Sequence, residues 1–293
     1  MLPLKISKTA GTVLKILISL AALVYVFSKI EIKQVLQIAA GSNFFLLFIA
    51  LTLFVVSKTI AALRLNHFLR ATGIIISELY NLRLYLLGMF YNLFLPGGIG
   101  GDGYKIYLLN RMQNVKAGKI FWAVLIDRLS GVLALFCLAM VLAGLIRLPD
   151  PFNSKILAWS LVPAAVVSFI LFIRFFFPYL KRIVLTVSGL SLIVQCFQVL
   201  CAFLILRGLG VRENETEYLF LFLISSIVAM LPITIGGAGS REITFLFGSG
   251  IMNLDQNTSI ALSLVFYFIT LFTSFWGILF SFKPEGRTKE TVG

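Results

Sequence analysis

The chain has 293 residues, 59% of them hydrophobic, and a mean hydropathy of +1.00, which is more apolar surface than a soluble domain of this length can bury. A soluble enzyme or binding module is excluded, and the solvent is a lipid bilayer. The 25 Lys and Arg against 12 Asp and Glu are scattered between apolar runs rather than gathered on one polar domain, so anionic lipid headgroups, not nucleic acid, are the expected partners.

Lys5, Lys8 and Lys15 precede an apolar run from Ile16 to Phe27, the pattern of a cleaved signal peptide or of a first membrane anchor. No A-x-A site follows, and a retained helix fits better. A helix needs ~20 mostly apolar residues to cross the hydrocarbon core, and six stretches have that length: about 11–28, 43–63, 119–146, 156–177, 183–206 and 258–281. In the second stretch Arg64 lies near the end and is expected to snorkel to the headgroups, as is Arg174 later in the chain. Lys58 is left without an assigned role.

Two shorter apolar segments, about 79–95 and 217–231, each run into a Gly/Pro break and continue in a mixed segment, about 103–118 and 240–252. Each pair reads as a hairpin that enters the membrane, breaks and returns, 79–118 and 217–252, inside a single membrane domain of 1–293. The expected fold is an all-α integral membrane protein with about six full spans and two broken or re-entrant hairpins, about eight transmembrane segments by the usual count.

The two breaks share one spacing, Pro-x3-Gly-Gly-x-Gly-x-basic. The first reads Pro96, Gly100, Gly101, Gly103, Lys105; the second reads Pro232, Gly236, Gly237, Gly239, Arg241. Glycine runs expose backbone N–H groups that form anion-binding concavities, aided by the positive end of the following helix. A cation in the first turn of that helix is unfavourable for the helix itself, which argues for a negative partner. That partner is either a bound anion or an internal carboxylate, with Asp102 and Glu242 as candidates. Gly and Pro also break helices and let them pack closely in membranes with no ligand involved; the matched second copy weighs against that alone. Tyr91 and Asn92, one turn before the first break, line the tip or cap local packing.

Asp127-Arg128 stands inside the third full span, too deep for Arg128 to snorkel easily. A charge at the centre of a span costs ~2.5–3.5 kcal/mol on insertion scales, so such residues face the protein interior or a water-filled cavity. Arg128 is expected to wall the substrate path, with helix–helix pairing as the alternative. Counting Lys and Arg per loop puts both termini in the cytoplasm. The first hairpin then enters from the cytoplasm and the second from outside, so the repeat is inverted and alternating access becomes geometrically available.

At these residues the chain resembles a known family. The run FYNLFLPGGIGGDGYKIYLL from Phe90 to Leu109, DRLSG from Asp127 to Gly131 and LPITIGGAGSRE from Leu231 to Glu242 are similar to three signatures of the flippase-like membrane family named for the transmembrane region of lysylphosphatidylglycerol synthase. RLNHFLRATG from Arg64 to Gly73 is similar to its early Arg-containing signature. The resemblance covers nearly the whole chain and implies about eight helices in two related halves and transbilayer movement of a phospholipid or a polyprenyl-phosphate-linked lipid. Bifunctional members carry a soluble aminoacyl-transfer domain; here the last span is followed by a short tail, so that activity is not expected. Lys105 stands where the family commonly has Arg, which keeps the charge but loses the bidentate fork on phosphate.

Enzymatic readings find less support. The nearest approach to a P-loop, Gly118-Lys119-Ile120, lacks the hydroxyl and the first glycine. The aspartates Asp102, Asp127, Asp150 and Asp255 are dispersed, and no G-x-S-x-G occurs. Cys137, Cys196 and Cys201 form no C-x-x-C, and His67 is the lone histidine, so no disulfide framework, zinc site or cofactor is expected. The reading is a lipid flippase or scramblase in the cytoplasmic membrane. Its headgroup phosphate would be held by Gly100, Gly101, Gly103, Gly236, Gly237 and Gly239 with Lys105, Arg128 and Arg241. Asp102, Asp127 and Glu242 would neutralise the empty site. The alternative is an accessory subunit that presents a lipid-linked intermediate to a separate synthase or glycosyltransferase.

Overall fold

The computed structural model describes residues 20, 24–25, 28, 32–94, 99–113, 115–146, 154–231, 234 and 237–281. Most of the expected first span lies outside them, as do Pro96, Pro232 and Gly236. Among the described residues the regular structure is helical, with no strand. A short helix α1 (Ile32–Ala40) leads into a long span α2 (Phe44–Ala71); then come a hairpin of α3 (Glu78–Phe94) and α4 (Gly100–Gln113) and a second long span α5 (Ala117–Ala143). A span α6 (Ser154–Phe176) and a 3-10 turn (Pro178–Leu180) cross over to α7 (Val184–Gly208). A second hairpin follows, α8 (Glu215–Met230) and α9 (Ser240–Ile251), then α10 (Gln256–Phe275) and one further turn, α11 (Ile278–Ser281). The segments 44–71, 117–143, 155–176, 184–208 and 256–280 are long and apolar enough to cross a bilayer.

Local sequence explains the ends. Asn43 opens α2, its side chain accepting from the N–H groups of Phe45 and Leu46, and Asp255 opens α10 by accepting from Thr258 N–H at 2.7 Å. At its other end Thr72 closes α2, its hydroxyl donating to the Leu69 carbonyl at 2.7 Å, so the helix runs well past the expected stop near 63 and Arg64 becomes an interior residue of a span. The hairpin arms are short. The 17 residues of α3 reach roughly 25 Å at 1.5 Å per residue, and the 12 of α9 roughly 18 Å, less than the ~30 Å hydrocarbon core.

The long spans α2 and α7 form the most extensive helix pair and run antiparallel. At one end Asn43 N–H donates to the Gly208 carbonyl at 2.8 Å; farther along, Arg64 Nη1 donates to Ser191 Oγ at 2.9 Å. Around this pair the contacts come in matching sets. α3 packs on α4 as α8 does on α9, α4 on α5 as α9 on α10, α2 on α3 as α7 on α8, and α10 on α3 as α5 on α8.

Two apolar clusters fill the bundle. One joins Phe54, Leu135, Cys201, Phe222, Phe245 and Phe266; the other joins Leu65, Leu69, Leu109, Ile120, Ile126 and Val187. Each of α2, α5 and α7 contributes to both, and between its two contributions each carries polar side chains: Lys58 and Arg64, Asp127 and Arg128, Ser191 and Gln195. A polar layer therefore sits at mid-helix between two apolar layers, at the depth where an uncompensated charge costs most. The candidate site lies there.

Candidate functional site

The mid-helix layer surrounds a cavity of about 280 Å³. From α2 it takes Phe54, Lys58, Ala61 and Arg64, successive positions of one helical stripe; from the first hairpin Asn92, Asp102 and Lys105; from α5 Asp127 and Arg128. The second half supplies Ser226 and Met230 near the end of α8, Arg241 at the start of α9, and Phe266 and Thr270 of α10. Five basic side chains, Lys58, Arg64, Lys105, Arg128 and Arg241, thus face two carboxylates, Asp102 and Asp127.

The carboxylates are shared out unequally. Asp127 binds Arg64, with Nε to Oδ1 at 2.7 Å, and both residues are buried at 6% and 5% exposure. Arg64 also donates to Ser191, tying α2 to α5 and α7. Snorkelling, expected for Arg64, is thereby overturned: its guanidinium turns inward, where a carboxylate and a hydroxyl meet it. Arg174, by contrast, is exposed near the end of α6.

Asp102 takes two cations, Lys105 at 3.2 Å and Arg128. Adjacent residues on a helix point in different directions, so Asp127 and Arg128 cannot serve each other. One reaches α2, the other α4, and the dipeptide clamps α5 between them. Arg128 both walls the cavity and pairs helices, joining the two roles weighed for it.

The first glycine motif works differently from the expected anion-binding concavity. Gly101 N–H donates to Asn92 Oδ1 at 2.8 Å, and the N–H groups of Asp102 and Gly103 both donate to the Ile99 carbonyl. These amides are occupied within the chain. Gly101, with Gly88 on the facing arm, instead allows close approach: a Cβ on Gly101 would lie 2.7 Å from the Gly88 carbonyl carbon, and one on Gly88 would meet the Lys105 side chain that crosses it. Tyr91 packs against Tyr104 across the same hairpin, the rings tilted by 53° with centroids 4.8 Å apart.

In the second motif Gly237 and Gly239 take φ of 80° and 84°, which glycine adopts without strain. Glu242, 2% exposed, fills the start of α9 itself: Oε2 accepts from Gly239 N–H at 2.7 Å and Oε1 from Ser263 Oγ at 2.8 Å. The anion at this helix N-terminus is thus a residue of the chain, its carboxylate capping the Gly239 N–H, a bond that glycine has no side chain to return. Glu242→Ala is expected to cost about 1–3 kcal/mol by stripping both donors of a partner. Glu242→Gln, which can still accept from Gly239, should recover much of the midpoint in a thermal melt in detergent.

With Glu242 so engaged, Arg241 is left to aromatic rings. Its guanidinium lies 4.8 Å from the Phe266 centroid and 6.0 Å from that of Phe222, and its Nη1 is buried without a hydrogen-bond partner. Two more cavity-lining polar atoms, Gln195 Oε1 and Ser226 Oγ, are buried and unpartnered in the same way. Buried polar groups are nearly always hydrogen-bonded, so three orphans in one wall point to a polar guest.

A family model for the lysylphosphatidylglycerol synthase TM region matches residues 12–277. The chain belongs to this family. No curated protein and no solved structure matches it. Membership in the lysylphosphatidylglycerol synthase transmembrane-region family gives the chain a membrane-lipid-related function in an integral membrane protein.

Of the residues picked from the sequence of this family member, Asp102, Lys105, Asp127, Arg128 and Arg241 meet at the cavity, whereas Glu242 stands behind it as a cap. Lys58, Arg64 and Asn92 were not assigned to the site, although they line it. The signal for Lys58 and Arg64 is the spacing Phe54, Lys58, Ala61, Arg64: basic residues on one helical stripe within a span face a common interior.

Proposed function

We propose that the protein moves a lipid with an anionic headgroup across the bilayer, as a flippase or scramblase, without a chemical step. One observation carries the proposal: a mid-helix cavity whose wall has five basic side chains and only two carboxylates. A positive excess at this depth is costly unless a negative guest compensates it. The head of an anionic phospholipid or of a polyprenyl-phosphate-linked lipid has that charge and the acceptor oxygens for Lys105, Arg128 and Arg241, while its tails stay in the hydrocarbon. With the first-motif amides engaged, side chains rather than backbone hold the head.

The matching contact sets support reading α2–α5 and α7–α10 as two related halves, and the antiparallel run of α2 and α7 supports an inverted relation between them. In that reading the hairpins enter from opposite leaflets, and Asp102 and Lys105 of one meet Met230 and Arg241 of the other at one cavity, so rocking one half against the other exposes it to alternate sides. The loop distribution of Lys and Arg favours cytoplasmic termini, in the cytoplasmic membrane.

The test is reconstitution into liposomes carrying trace fluorescent phospholipids, read as access of the label to a membrane-impermeant quencher. Intact protein should transfer label, and the double replacement of Lys105 and Arg241 by Gln should abolish transfer while the protein still inserts. Unchanged transfer in the variant overturns the site. Absence of transfer by intact protein across several anionic lipids, with a synthase or glycosyltransferase copurifying, would replace transport by presentation to that enzyme.

A further inference from the structure

The cations of the cavity fall into two groups. Arg64, Lys105 and Arg128 have carboxylate partners. Lys58 and Arg241 have none within ion-pair distance among the described residues. Each lies instead against an aromatic ring, Lys58 Nζ 4.6 Å from the Phe54 centroid and Arg241 4.8 Å from that of Phe266. Phe54 meets Phe266 edge to face with centroids 5.4 Å apart, so both cations rest on one aromatic cluster. Cation–π contact partly compensates such charges without neutralising them. Beside them the cavity wall holds the unpartnered Arg241 Nη1 and Ser226 Oγ.

Charge counting then narrows the guest. The five cations exceed Asp102 and Asp127 by three, and even with Glu242 counted, two positive charges remain. A phosphodiester head has one negative charge and leaves half of this uncompensated. A phosphomonoester carries about −1.5 to −2 at pH 7 and offers three acceptor oxygens, enough for an ammonium and a guanidinium together.

Resting on the lipid-transport reading, we propose that Lys58 and Arg241 form the seat of a doubly charged phosphate head, so that the ligand is a lipid of the phosphomonoester or diphosphate class rather than a phosphodiester. Phe54 and Phe266 form the floor of this seat, with Phe222 packed behind Phe266, and Arg128 and Lys105, sharing one carboxylate, line the same cavity.

The experiment measures thermal stabilisation and binding of the purified full chain in detergent with three probes: dioctanoyl phosphatidate, dioctanoyl phosphatidylglycerol and glycerol 3-phosphate. Phosphatidate should bind more tightly than phosphatidylglycerol. Lys58→Met and Arg241→Met should each weaken phosphatidate by about 10- to 100-fold, the worth of one charge-assisted contact. The ligand-free melting midpoint should hold or rise in both, because an uncompensated charge has been removed; a residue needed only for folding would lower it. Lys58→Arg, which keeps the charge, should restore the preference. Equal binding of the two lipids overturns the head class, and undiminished phosphatidate binding by Lys58→Met overturns the seat. Glycerol 3-phosphate binding as tightly as phosphatidate overturns the lipid source but leaves the phosphomonoester class standing. Binding of none of the three overturns the proposal, and liposome transfer of phosphatidylglycerol by the same preparation would show that transport survives its loss.

Discussion

Asp127→Ala is expected to lower stability by about 3–5 kcal/mol, the cost of leaving a buried charge without its partner. Arg64 sits at 5% exposure between α2, α5 and α7, and with the carboxylate gone only Ser191 remains on its guanidinium. At 5% exposure it has little access to solvent. Removing both charges, as Arg64→Met with Asp127→Leu, should recover most of the loss, because a buried pair contributes little net stability over an apolar pair of similar volume. Glu78→Ala is the internal control. Arg70 and Glu78 lie closer, 2.6 Å against 2.7 Å, yet are 50% and 45% exposed, so the change should stay below ~1 kcal/mol. Thermal unfolding in one detergent checks all three. An Asp127→Ala loss no larger than that of Glu78→Ala would mean that the Arg64 guanidinium is solvated and that the polar layer is open to water.

The contrast between these pairs also explains what was legible in the sequence. Hairpin positions follow from apolar length and paired Gly/Pro breaks, which are local, and the structure sets α3–α4 and α8–α9 within a few residues of the expected segments. Charge placement is not local. Arg64 resembles an end-of-span arginine until α2 is seen to run to Ala71, and its partner is 63 positions away on another helix. Asp127-Arg128 was recognisable as facing the interior by depth alone, but an adjacent pair says only that two other helices must answer it, not which. The first glycine motif was legible as a helix break, whereas the use of its amides within the chain was not: a glycine needed for close approach and one needed for a free amide look alike in sequence. Asn92, which takes the Gly101 amide, decides between them and is visible only in three dimensions.

Gly101 and Gly88 give the second large effect and separate packing from charge. Gly101→Ala puts a methyl against the Gly88 backbone, 2.8 Å from its Cα and nearer still to its carbonyl oxygen, and backbone within a helix cannot step aside. The arms α3 and α4 must separate, so the cost should reach or pass the upper end of the ~1–3 kcal/mol typical of overpacking. Asn92 would lose its grip on the Gly101 amide, and the Asp102 cluster would shift from the cavity. Gly88→Ala meets the far end of Lys105, with Nζ at 2.9 Å, and a lysine can swing away. Its stability cost should be smaller, and Arg128 still holds Asp102. What Gly88→Ala changes is the cavity, because Lys105 no longer lies along α3 beside Asp102. The expected pattern is a large fall in melting midpoint for Gly101→Ala and a small one for Gly88→Ala, with lipid transfer reduced in both. Equal destabilisation by the two would show that Lys105 is clamped as rigidly as backbone, making it a strut of the hairpin rather than a cation free to follow a headgroup.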